Sequence, residues 1–114
     1  MRKMDKTGTT MMREMHSKCV GVSMEGRQAN VIELKPGQLF TMCHEEDNAF
    51  DTCAIKLFAD AECTKAIGYI ARDIAADIIK QEKEYGYSYT VAVKEITGGG
   101  KRTSGVNIVI TAYR

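Results

Sequence analysis

The sequence predicts a mainly β, α+β fold: a small antiparallel barrel of about six strands with one main α-helix at about residues 71–84. Three observations predict it. Short stretches alternate apolar and polar residues with period two, as half-buried strands do. A single stretch carries the helical period. The connections between them are rich in Gly, Asp, Asn and Ser, and the one Pro, Pro36, lies outside every alternating stretch.

Taken in order, residues 19–24 place Val20, Val22 and Met24 on one face and are expected as the first strand. Residues 25–28 form a turn, and residues 29–34 are ambiguous between a strand and a bend. Lys35-Pro36-Gly37-Gln38 is a second turn, with Pro fixing φ and Gly supplying a permissive backbone. Residues 39–43 form the next strand. The acidic turn His44-Glu45-Glu46-Asp47-Asn48 follows, in which Asx side chains bond nearby main-chain groups. Residues 53–58 alternate with Cys53, Ile55 and Leu57 on one face; a polar turn over 59–65 leads to residues 66–70, making a hairpin.

The helix carries Ile74, Ala75, Ile78 and Ile79 on one stripe, with Arg72, Asp73, Asp77, Lys80 and Lys83 left for water. Tyr85-Gly86 stops it, Gly being a good C-terminal residue. Residues 87–96 alternate with Tyr87, Tyr89, Val91 and Val93 on one face. A Gly-rich basic loop spans 97–104, and residues 106–112 form the last strand. The expected core is Ile55, Leu57, Ile67, Ile74, Ile78, Val91, Val93, Ile108 and Ile110.

The chain of 114 residues suits one domain. Residues 1–17 show no sustained period and are expected as a flexible N-terminal arm, with residues 18–114 forming the domain. Hydrophobic content of 44% and charged content of 27% are ordinary for a soluble protein. A net charge of +1 gives no global attraction to nucleic acid, so any such site must be a local patch. No stretch is long and apolar enough for a membrane span, and the N-terminus lacks the apolar core of a signal peptide. The four cysteines are not in CxxC pairs, so free thiols in a reducing cytoplasm are expected.

Several chemical motifs fail on their own terms. Gly98-Gly99-Gly100-Lys101 looks like a phosphate loop, but Glu95 holds the first Gly position and Arg102 the Ser/Thr position. It reads instead as a hairpin loop with a basic tip. Cys43, His44, Cys53 and Cys63 lack the close pairing of a closed zinc site, and Cys53 shares a face with Ile55 and Leu57 as a small hydrophobe does. With only His16 and His44 present, no nucleophile–base–carboxylate set emerges, and His44 reads as a solvated turn residue. No cofactor or metal is expected, and no catalysis. Phe50-Asp51 has two readings: a core Phe beside a turn-capping Asp, or a ring and a carboxylate in a site.

The order of these pieces resembles the HIRAN domain. The family pattern runs roughly Glu-Pro-x-Asn-Pro-Tyr-Asp-x-Asn-Ala-Ile-x-Val, then a hairpin, then Ile-Gly-Tyr-Ile-Pro-Arg-x-Leu-Ala. Here stand Glu46-Asp47-Asn48-Ala49-Phe50-Asp51-Thr52-Cys53-Ala54-Ile55-Lys56-Leu57 and, later, Ile67-Gly68-Tyr69-Ile70-Ala71-Arg72-Asp73-Ile74-Ala75. Residues 20–28 match the opening strand and residues 91–99 the closing part, so the resemblance covers about residues 19–112.

The resemblance implies an OB-like β-barrel that binds nucleic acid. In family members the Tyr-Asp pair lies in a pocket that holds the 3′ end of single-stranded DNA, and the carboxylate accepts a hydrogen bond from the terminal hydroxyl. Asp51 would keep that role, with Asn48 in the same turn, and Phe50 would keep a ring for stacking. Ser23 and Met24 stand where DNA-binding members carry an Arg-Tyr pair, Ala49 replaces a Pro, and Cys53 an Asn. Phe50, Met24 and Tyr69 would be apolar or stacking walls; Arg72, Arg27 and Lys101 would meet phosphates. The implied function is a non-catalytic module for single-stranded DNA or DNA ends in repair or replication, beside a separately encoded helicase or nuclease. A module that binds a peptide in a groove is the alternative.

Overall fold

The structure, a computed structural model, describes residues 1–24, 26–99 and 103–114. In chain order these form β1 (Arg2–Lys3), β2 (Met11–Lys18), α1 (Gln28–Val31), β3 (Thr41–His44), β4 (Ile55–Phe58), β5 (Ala66–Tyr69), α2 (Arg72–Tyr85), β6 (Ser88–Thr97) and β7 (Gly105–Tyr113). Every strand pairing is antiparallel.

The strands do not close into the expected barrel. The seven form two sheets, in orders β1-β3-β4-β5 and β2-β7-β6. The sheets meet at two corners through isolated bridges, Val20 with Tyr69 and Leu39 with Ala92. At the first corner Val20 and Tyr69 exchange both main-chain hydrogen bonds at 2.8 Å. The pairing stops there because Gly21 turns away at φ 72°. Residues 19–24, expected as the first strand, are therefore one bridge followed by a turn. The ambiguous stretch after them becomes the short helix α1.

The expected arm carries two strands. Lys18 back to Met11 pairs along β7 from Asn107 to Tyr113, with one bulge near Met11. Only Met15 and Ser17 of β2 are half-buried, with Met15 against the core, so no apolar stripe announces the strand; main-chain bonding along β7 orders it. β1 is pinned from its side chains: Arg2 Nη2 lies 2.6 Å from Glu82 Oε1 on α2, and Lys3 Nζ donates to the Ala61 carbonyl at 2.8 Å.

The core lies between the sheets and under α2. Ile55, Leu57 and Ile67 from one sheet meet Val91, Val93, Ile108 and Ile110 from the other, with Ile78 and Ile79 of α2 in the same cluster. Of the nine expected core residues, eight are buried and Ile74 is half-buried against the cluster. Each fully buried branched side chain contributes about 1.5–3 kcal/mol, which is why period two is so legible in β4, β6 and β7. α2 ends at Gly86, whose φ of 69° is the left-handed turn that Gly permits. The longest axis is 44 Å.

Candidate nucleic-acid interface

An open groove of about 490 Å³ lies where the turn after β3, the end of β5, the start of α2 and the segment before α1 converge. Its walls include Met24, Arg27, Asn48, Phe50, Asp51, Tyr69 and Arg72. Seven of the nine residues singled out in the sequence thus share one surface. Ser23 does not line it, and Lys101 lies outside the described residues.

The turn builds itself from local hydrogen bonds. Asn48 Oδ1 accepts from the Phe50 and Asp51 amides at 2.9 and 3.1 Å, an Asx turn. Asp51 Oδ1 then accepts from the Cys53 amide at 2.9 Å. This leaves Phe50 pointing away from the core, 89% exposed. The two readings of Phe50-Asp51 therefore split by residue. Phe50 is not a core residue. Asp51 is a turn cap through one oxygen, while its other oxygen, Oδ2, sits 3.9 Å from Arg72 Nε. The Asp51 side chain keeps about a fifth of its surface open, at 21%.

Arg72, at the first turn of α2, ties helix to turn: its Nη2 donates to the Phe50 carbonyl at 3.1 Å. The rest of the guanidinium is solvent-facing, with the side chain 77% exposed. Arg27 is the opposite case. It is 4% exposed, donates from Nη1 to the Gly21 carbonyl at 2.8 Å, and lies over the Tyr69 ring at 5.4 Å. It is a cation that covers one face of Tyr69; the sequence assigned it a phosphate contact, and its burial leaves little of its surface open for one.

Glu45 escaped the sequence reading. Its Oε1 accepts from the Tyr69 hydroxyl at 2.7 Å and from Asn48 Nδ2 at 3.2 Å. That second bond fixes which way the Asn48 amide faces, and so presents Oδ1 to the Phe50 and Asp51 amides. The missed signal lies in strand register: β3, β4 and β5 are neighbours, and Glu45 directly follows β3 while Tyr69 ends β5. His44 also departs from its expected solvated place. It is 4% exposed, with Nε2 2.8 Å from the Thr52 carbonyl and Nδ1 3.2 Å from Arg2 Nη2.

Gly68 makes the groove's back wall possible. A Cβ there would run into the Val20 carbonyl oxygen and come within 2.8 Å of Cys19 Sγ. Only Gly lets the segment leaving β2 cross β5 this closely.

Two solved structures share this arrangement of elements. The crystal structure of the HIRAN domain of human HLTF superposes with a TM-score of 0.67 at 13% identity, covering 93% of this chain and 79% of that one. The fold is HIRAN-like. A structural-genomics protein from Lactobacillus plantarum matches with a TM-score of 0.62 at 17% identity, covering 92% of this chain and 96% of its own. No protein-family model matches the chain, and no curated protein matches it by sequence. Among the described residues no helix is long and apolar enough to cross a membrane.

Proposed function

We propose that this HIRAN-like chain is a non-catalytic module that binds single-stranded DNA, taking its 3′-hydroxyl end into the groove. The observation that carries the reading is the convergence of Asn48, Phe50, Asp51, Tyr69 and Arg72 on one surface, in the order that the family resemblance requires. The chemistry suits an end of a strand. Phe50 offers an exposed ring to a base. Asp51 offers an acceptor-only carboxylate to a terminal hydroxyl and repels a terminal phosphate. Arg72 offers an exposed cation beside both. A separately encoded helicase or nuclease that exposes or uses such ends is the working partner this function implies.

The groove's rim favours a second reading. Phe50, Met24 and Val20 are 89%, 58% and 43% exposed, an apolar rim that also fits a peptide side chain. Titrating labelled single- and double-stranded oligonucleotides by anisotropy, over a salt series, separates the two. DNA binding predicts association at low salt that weakens as salt rises, since phosphate contacts release counterions. Absence of association at low salt rejects DNA and leaves the peptide.

A further inference from the structure

We propose that Cys43 and Cys63 form a reversible redox pair, a disulfide modification site that takes low-molecular-weight disulfides as its oxidant. The thiols are 20 residues apart in sequence, yet their sulfurs lie 3.6 Å apart. The loop between β4 and β5 folds back over β3 and sets one sulfur against the other. Closing this contact to a disulfide bond, about 2.05 Å long, needs only a local approach of the loop.

The loop is held for this contact by more than its sequence-local turn. Cys63 has φ 59° and is the one non-glycine residue with positive φ among the described residues. A side chain in that region carries strain and persists only where its surroundings fix it. Here they do. Asp60 accepts from the Thr64 amide and hydroxyl and from the Lys65 amide. Lys3, paired opposite Cys43 in the β1–β3 ladder, reaches across to the Ala61 carbonyl. Two independent anchors therefore hold a strained residue whose thiol faces a second thiol.

The order of the chemistry follows from exposure. Cys63 is half-exposed, and Cys43 is buried. The Cys63 thiolate attacks one sulfur of a disulfide RSSR, forming a protein–S–S–R mixed disulfide and expelling RS⁻. The Cys43 thiolate then attacks the Cys63 sulfur, forming the Cys43–Cys63 bond and expelling the second RS⁻. The two protein thiols are oxidised, RSSR is reduced to two RSH, and the two thiol protons end on the expelled thiolates. Burial, with the neighbouring Cys63, pushes the Cys43 thiol up to about 11. Once Cys63 carries the mixed disulfide its thiol no longer opposes ionisation, but burial still does, so the second step speeds up as pH rises. Cys19, which burial pushes up to about 12, and Cys53 have no second sulfur facing them among the described residues.

The test uses the full chain incubated with excess oxidised glutathione, quenched by acid and alkylation, and read by intact mass and peptide mapping. Wild type is expected to lose two hydrogens and two alkylatable thiols, with the bond mapped to Cys43 and Cys63 and reversed by reduced glutathione. Cys43→Ser should stop at one glutathione on Cys63, with circular dichroism confirming that it is folded. Four alkylatable thiols in oxidised wild type, a persisting mixed disulfide in wild type, or a bond mapped to another cysteine would each overturn the proposal.

Discussion

The sharpest test of end recognition is Asp51→Asn rather than Asp51→Ala. Asp51 has two oxygens with two jobs. Oδ1 caps the turn by accepting from the Cys53 amide at 2.9 Å, and Oδ2 lies 3.9 Å from Arg72 Nε. Asn keeps an oxygen for the Cys53 amide but replaces Oδ2 by an amide donor. A terminal 3′-hydroxyl would then meet a donor in place of a charged acceptor. A charge-assisted hydrogen bond is worth about 1.5–3 kcal/mol, so affinity for a 3′-hydroxyl oligonucleotide should fall roughly ten- to a hundredfold. Stability should change by less than about 1 kcal/mol, because the cap survives. Asp51→Ala removes both functions and adds a cap loss of about 0.5–2 kcal/mol. The assay is anisotropy of labelled single strands ending in a 3′-hydroxyl or a 3′-phosphate. Wild type should prefer the hydroxyl, and Asp51→Asn should lose that preference, since the carboxylate no longer repels phosphate and Arg72 is released to it. Equal wild-type affinity for the two ends refutes end recognition even if DNA still binds.

Three further outcomes follow from the same geometry. Phe50→Ala should leave thermal stability unchanged, because the ring is 89% exposed, while weakening single-strand binding by about 1–3 kcal/mol if a base stacks on it. Gly68→Ala should destabilise the fold by about 1–3 kcal/mol in denaturant titration, because its Cβ meets the Val20 carbonyl and Cys19 Sγ; an unchanged midpoint would show that the corner between the sheets yields freely. Glu45→Ala should weaken binding by freeing the Asn48 amide to turn, and Glu45→Gln, which keeps an acceptor oxygen, should restore most of the affinity; equal loss in both variants would make Glu45 an electrostatic rather than a positioning residue.

How far the sequence could be read depended on whether a face of each element meets the core. β4, β6, β7 and α2 bury one face each, so Ile55 and Leu57, Val91 and Val93, Ile108 and Ile110, and Ile78 and Ile79 announce them by period. β1 and β2 are ordered by main-chain pairing and by Arg2 and Lys3, which carry no period, so residues 1–17 looked like an arm. The barrel expectation failed at its corners for a related reason. Alternation in Val20, Val22 and Met24 cannot show that Gly21 ends the pairing after a single bridge. The site was legible where it is contiguous, as in Asn48, Phe50 and Asp51, whose turn chemistry is local. It was illegible where strand adjacency makes it, as with Glu45 beside Tyr69 and Cys43 beside Cys63.

The burial of Arg27 changes how the groove must hold a strand, if it holds one. The lining has two described cations, and one of them is committed to Gly21 and the Tyr69 ring. Of these two cations only Arg72 stands exposed, and it already donates to the Phe50 carbonyl. One phosphate contact on single-stranded DNA gives a log–log salt slope of only about −0.7. Affinity must then come mainly from short-range contacts at the strand's end, stacking on Phe50 and the hydrogen bond to Asp51, rather than from tracking the backbone. Such a site would bind a short oligonucleotide nearly as well as a long one. A wild-type slope several times steeper, or affinity that climbs with strand length at fixed end concentration, would place the phosphate contacts outside this groove and make the strand's end incidental. Removing Arg72 by Arg72→Ala should bring the slope close to zero while leaving the preference for a 3′-hydroxyl intact, which separates the charge that holds the strand from the carboxylate that reads its end.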